Sequence, residues 1–179
     1  NFSADMWKEM GYASRPAVFT ETETPITILI LVLIGAMVAI KNNFKALMAA
    51  HAFIMIGFII AGVSTYYFTQ HLLDPFWWMM LVGLGLYLVY IPFNSIFFDR
   101  LIAAFSMKGN VGFFIYVADS VGYVGSVSVM LVKEGMTLKI QWTSFFSQSV
   151  ILLSFVGVFI TAYSAYYFFS KSKTTPLMQ

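Results

Sequence analysis

Apolar residues gather in five long runs along this chain, at about 25–40, 44–68, 76–98, 110–132 and 143–169, with short polar breaks between them. A helix needs roughly 20 apolar residues to cross the hydrocarbon core of a bilayer. The runs meet or approach that length, and none carries the alternation of a membrane strand. The pattern predicts an all-α membrane protein with five transmembrane helices. Pro25 falls in the first turn of the first predicted helix, where a missing N–H is harmless. Pro92 falls inside the third and predicts a kink. The breaks are Lys41-Asn42-Asn43, residues 69–75 and residues 133–142; the stretch 99–109, DRLIAAFSMKG, is longer and amphipathic and is expected to lie along the interface. The chain thus divides into an external polar or interfacial arm at 1–24, a five-helix membrane domain at 25–169 and a cytoplasmic tail at 170–179.

Composition strengthens this reading. Of 179 residues, 60% are hydrophobic and 10% charged, whereas a soluble domain carries about 25% charged residues. So few charges cannot clothe a globular surface. A net charge of +2 without a basic stripe argues against nucleic acid as a partner. The chain has no cysteine, which excludes disulfides, thiolate metal sites and thiol nucleophiles. Phosphate-binding glycine loops, HExxH and a Ser-His-Asp set are absent, and GNVGFF has no strand ahead of it. An enzyme is not expected. Residues 1–24 carry charge but no apolar signal-peptide core. A chain that opens at Asn1, inside a loop, is expected to be a piece of something longer.

Five crossings put the termini on opposite sides of the membrane. One side collects Lys41, Lys45, Arg100, Lys108, Lys171 and Lys173, and the other Lys8, Arg15, Lys133 and Lys139. The bias favours a cytoplasmic C-terminus and an external arm. Trp77, Trp78 and Trp142 fall at external helix ends, where indoles favour the headgroup layer.

The polar residues inside the runs are the candidates for chemistry. On the fourth predicted helix, Gly112, Tyr116, Asp119, Tyr123 and Ser126 follow at steps of three and four and share a face. An adjacent face carries Ala118, Gly122, Gly125 and Val129, small enough for a close helix neighbour. A charged Asp at mid-bilayer costs about 2.5–3.5 kcal/mol. Asp119 is therefore expected to be screened by protein or trapped water, as a proton carrier, a cation contact or a hydrogen-bonded structural group. The third helix repeats the theme with Gly83, Tyr87, Tyr90 and Asn94, a face expected either to line a cavity with the fourth helix or to form a packing seam. His51 lies at a depth comparable with Asp119 and could pair with it if their helices are adjacent, although a hydrogen-bonded histidine is the simpler reading. Asp99-Arg100 is read as a local anchor, or as a gate between transporter halves. Ser154, Gly157, Thr161 and Ser164 on the fifth helix read as a packing face, and the first helix as facing lipid or a flat helix surface.

The stretch YIPFNSIFFDRLIAAFSMKGNVGFFIYVADSVGYVGS, residues 90–126, with the opening NFSADMWKEMGYASRPAVFT, resembles an uncharacterised, mainly Bacteroidetes family of major-facilitator-like membrane proteins, a domain of unknown function. The similarity covers the whole chain. The resemblance implies helices eight to twelve of a twelve-helix fold, with the third and fourth helices here beside the central cavity. It also implies a bacterial inner membrane, a cytoplasmic C-terminus and a short cytoplasmic loop at 41–43. The expected function is the C-terminal portion of a secondary transporter moving a small solute, with Asp119 as the coupling group and Tyr87, Tyr90, Asn94, Tyr116 and Tyr123 along the pathway. His51, Asp99 and Arg100 are the candidate relay or gate. Expected partners are the lipid bilayer, an N-terminal half or another membrane subunit, and the solute; no cofactor is implied. The alternative is a non-transporting subunit or scaffold of a larger complex, and a weaker one a redox subunit using His51.

Overall fold

The computed structural model describes residues 2–12, 17–135 and 141–174. Among these, all regular structure is helical: α1 (Phe2–Glu9), α2 (Val18–Val38), α3 (Asn43–Thr69), α4 (Pro75–Pro92), a π-helical turn (Phe93–Phe97), α5 (Phe98–Phe105), α6 (Val111–Gly135) and α7 (Trp142–Ser172). Five spans are long and apolar enough to cross a membrane, the third of them the continuous stretch Pro75–Phe105. The chain is a multi-pass membrane protein.

Local chemistry sets the ends. Asn42 caps α3, its side-chain oxygen accepting the Lys45 N–H at 2.8 Å. Asp74 caps α4 by accepting the Phe76 N–H at 2.9 Å, and Pro75 fills the first helical position, where no N–H is needed. Ser106, at φ 50°, turns α5 off in the left-handed region.

Two boundaries differ from the sequence reading. The first span starts at Val18 and runs through Pro25, which costs it one ladder bond near its N-terminal end. The Thr22 hydroxyl turns back to the Val18 carbonyl at 2.8 Å, so this buried threonine is satisfied within its own helix. The stretch at 99–109 is mostly a continuation of the third span. Pro92 is followed by a π turn rather than a break, and α5 carries on and packs its apolar side against α3.

The hub is α3, which packs along α4 and α7, while α2 lies mainly against α4 and also meets α3, where Met37 and Ala50 share a buried cluster. Small residues allow the close contacts. A Cβ at Gly57 would stand 2.5 Å from the Gly85 carbonyl oxygen, and one at Gly157 2.5 Å from the Phe58 ring. Such pairs let helix backbones meet where bulk apolarity gives no drive, because lipid is equally apolar. Ser154 and Thr161 are buried in the same seam, as the packing reading of the last helix expects. Trp78 is 0% exposed, stacks on Phe68 at 3.8 Å and donates its indole N–H to the Thr65 hydroxyl at 3.0 Å. It is a core residue rather than a headgroup anchor; Trp77 beside it is exposed.

The arm is docked. Met6 and Trp7 of α1 are buried, Met6 among Trp78, Val82 and Val150. Glu9 accepts the Trp142 N–H at 3.2 Å, the Thr143 N–H at 3.0 Å and the Thr143 hydroxyl at 2.7 Å. A carboxylate from one end of the sequence thus caps α7, whose first amides have no intrahelical partners.

Candidate functional site

On α4, Met79, Val82, Gly83, Leu86, Tyr87 and Tyr90 follow one another at steps of three and one, so they form a single stripe. On α2, Phe19, Thr22, Glu23 and Ile26 repeat the same spacing. The two stripes face each other across a groove of about 370 Å³, which Met6 and Trp7 of α1 and Phe146 of α7 also line. Three members of the predicted third-helix face, Gly83, Tyr87 and Tyr90, are here. Their partner is the first span and the arm, not the fourth span as the sequence suggested. Asn94 is not among the lining residues, since the π turn shifts the residues after Pro92 onto another face. Glu23 forms no hydrogen bond or ion pair among the described residues, and no described Lys or Arg lines the groove.

A second groove, of about 450 Å³, opens over α3 between α4 and α7. Its walls are mostly apolar, with His51, Ser154, Thr161 and Ser164 as the polar exceptions, and Leu86 lines both grooves. His51 is 2% exposed. Its Nδ1 lies 2.8 Å from the Leu47 carbonyl and its Nε2 3.0 Å from the Ser164 hydroxyl. A carbonyl only accepts, so Nδ1 carries the proton, and a neutral ring then accepts from Ser164. Phe97 of the π turn packs on the imidazole at 4.9 Å. The histidine ties α3 to α7 and makes no pair with Asp119, whose helix packs chiefly on α5.

The Asn94 side-chain oxygen is buried without a hydrogen-bond partner, alone in that respect among the described residues. It stands in the π turn, just past Tyr90, the midpoint of the third span. Arg100, six residues on, donates to the Asn43 side-chain oxygen at 2.8 Å and lies 3.9 Å from Asp99. That arrangement fastens α5 to the start of α3 and fits the anchor reading.

The fourth predicted helix is the main departure. None of the α6 window is buried, and its packing is chiefly on α5, where Phe98 stacks with Phe114 at 5.7 Å. Tyr116 and Tyr123 are 76% and 72% exposed, and Asp119 between them is exposed too. Nothing stands within 4 Å of where a Cβ would sit at Gly122 or Gly125. Tyr116, Asp119 and Tyr123 therefore share a face, as their spacing requires, but the described residues of this chain do not screen it. The serines of α6 are satisfied within the helix, Ser120 donating to the Tyr116 carbonyl at 2.6 Å and Ser126 to that of Gly122 at 3.1 Å. The carboxylate has no such outlet.

Arg15, Lys139 and the tail beyond Thr174 lie outside the described residues, as do the side chains of Val129 and Lys133. The described cations of the other group sit at one end of the bundle. Arg100 meets Asn43, and Lys171 lies 5.6 Å from the Phe105 ring.

No curated protein and no solved structure matches the chain. Residues 1–171 match a family model, covering the arm and all five spans, and the chain belongs to the family of unknown function DUF5690.

Proposed function

We propose that the chain is the C-terminal portion of a major-facilitator-like secondary transporter of a bacterial inner membrane, with its C-terminus cytoplasmic. A small solute would move along the face that carries the two grooves, opposite a further membrane unit. The observation that carries this reading is the interrupted third span: Pro92 and a π turn near mid-membrane, with the Asn94 oxygen buried and unpaired beside them. π-Bulges are frequent at functional sites, an unpaired buried acceptor calls for a ligand or water, and transporters place their sites where spans are irregular. Asp119 is the proposed coupling group. Because its own chain leaves it open, the unit that screens it would also complete the pathway.

The test is uptake driven by a pH gradient in the intact protein. Asp119→Asn should abolish that uptake while membrane insertion persists. Undiminished uptake would remove Asp119 from the mechanism.

One observation favours a second reading, a non-transporting subunit or scaffold. The small-residue face of α6 is open and suits a close helix neighbour. Stoichiometric co-purification of a partner that is lost on Gly122→Leu, together with absence of uptake, would select this reading.

A further inference from the structure

The groove between α2 and α4 has a distinctive chemistry. Trp7, Phe19, Tyr87, Tyr90 and Phe146 supply five aromatic rings, and among the described residues Glu23 is its single charged side chain. Trp7 and Phe19 meet edge to face at 6.4 Å and 73°, so two walls stand nearly perpendicular. The volume of about 370 Å³ falls within the ordinary range for small-molecule sites, about 300–1,000 Å³.

An aromatic face attracts a cation through its quadrupole, most strongly when the cation is partly desolvated, and aromatic cages recognise substituted ammonium ions in this way. A lone carboxylate beside such rings adds the counter-charge. An anion would meet Glu23 and the negative ring faces together. A neutral apolar molecule would gain nothing from the carboxylate and would strip water from it. Glu23, five residues into α2, lies about 7 Å along the helix from its outer end. It is therefore deep enough to sit beside the rings and shallow enough to be reached from water or from the headgroup layer.

We propose that this groove binds an organic ammonium ion with apolar substituents, Glu23 acting as its counter-charge and Trp7, Phe19, Tyr87 and Tyr90 as its walls. The arm, through Trp7, forms the roof of the site. The proposal deepens the transporter reading by giving its solute a chemical class, and depends on that reading only for the step from binding to movement. The ammonium can belong to a free solute or to a lipid headgroup, since the groove opens near the membrane surface.

The test is calorimetric titration of the full chain in nanodiscs of phosphatidylglycerol, with benzyltrimethylammonium as the probe and benzyl alcohol and phenylacetate as neutral and anionic controls. Saturable binding of the cation alone is expected. Glu23→Gln, at an exposed position where folding is not at stake, should weaken it about tenfold or more, and Trp7→Leu about threefold to tenfold. Nanodiscs containing phosphatidylethanolamine identify the source. Competition with the probe assigns the site to a headgroup, and its absence to a free solute. No saturable binding, equal binding of benzyl alcohol, or full affinity in Glu23→Gln would each overturn the proposal. Cation binding here, with no uptake of the cation by the intact protein in sealed vesicles, would uphold the proposal and remove the transporter reading.

Discussion

His51 illustrates how a polar side chain is kept inside a membrane bundle. Both ring nitrogens are used, one on its own helix and one on α7, so no unpaired group faces hydrocarbon. His51→Phe keeps a ring of similar size but breaks both bonds and leaves Ser164 without its partner. It should cost about 1–2 kcal/mol of stability, read as a lower midpoint of thermal unfolding in detergent. Glu9 works at the opposite extreme of exposure. Partial desolvation against the end of α7 raises its pKa, but the hydrogen bonds from the Thr143 hydroxyl and from the Thr143 and Trp142 amides outweigh that and hold the carboxyl below its ordinary value of 4.5. The linkage follows from that direction: the stabilisation is complete above 4.5 and is lost as pH falls through the lower folded value. The protection factors of the Trp142 and Thr143 amides, observed exchange corrected for the intrinsic pH dependence, should therefore fall on acidification of the native protein. Glu9→Gln should show the lower protection already at neutral pH and lose the acid dependence.

The elements differ in how tightly their neighbours hold them. Where α3 crosses α4, Gly57 and Gly85 bring the two backbones together, and Gly57→Val must force them apart, at about 1–3 kcal/mol in unfolding experiments. On α6, Gly122→Leu meets open space and should leave the unfolding midpoint of the isolated chain within experimental error. The hydropathy of a run is a local property, so the five spans could be read directly from the sequence. So could the serine-glycine seam of α7. Pairing between helices is not local. The stripe at Gly83, Tyr87 and Tyr90 is legible, but its partner is not: Pro25 reads as a first-turn residue, and although the short first run allows a start a few residues earlier, nothing local fixes that start at Val18. Phe19, Thr22, Glu23 and Ile26, at steps of three and one, were the signal that would have extended the helix. Trp78 could not be separated from Trp77 by depth alone. Its burial depends on Thr65 and Phe68, residues of another helix.

At the scale of the whole molecule, four spans make one packed body and α6 stands against α5 with its polar and small-residue faces uncovered. Insertion of this chain with Asp119 exposed to lipid costs about 2.5–3.5 kcal/mol, a standing incentive for association. The two ends of the bundle can be assigned chemically, because the chain contains no native cysteine. Lys41→Cys and Lys171→Cys should react with an impermeant maleimide only after the cell membrane is opened, and Leu72→Cys in intact cells. The reverse pattern would invert the orientation.

The π turn at Phe93–Phe97 acts as one extra residue in an otherwise continuous rod, and each residue of an α-helix advances the phase by about 100°. Upstream of it the stripe ending at Tyr90 looks toward α2; downstream, Phe97 looks toward His51 and Arg100 reaches Asn43. Deleting Ser95 would let the rod wind as plain α-helix and swing everything beyond by that angle, unhooking Phe97 and Arg100 together. The insertion is what allows one span to serve two neighbours with two different sides.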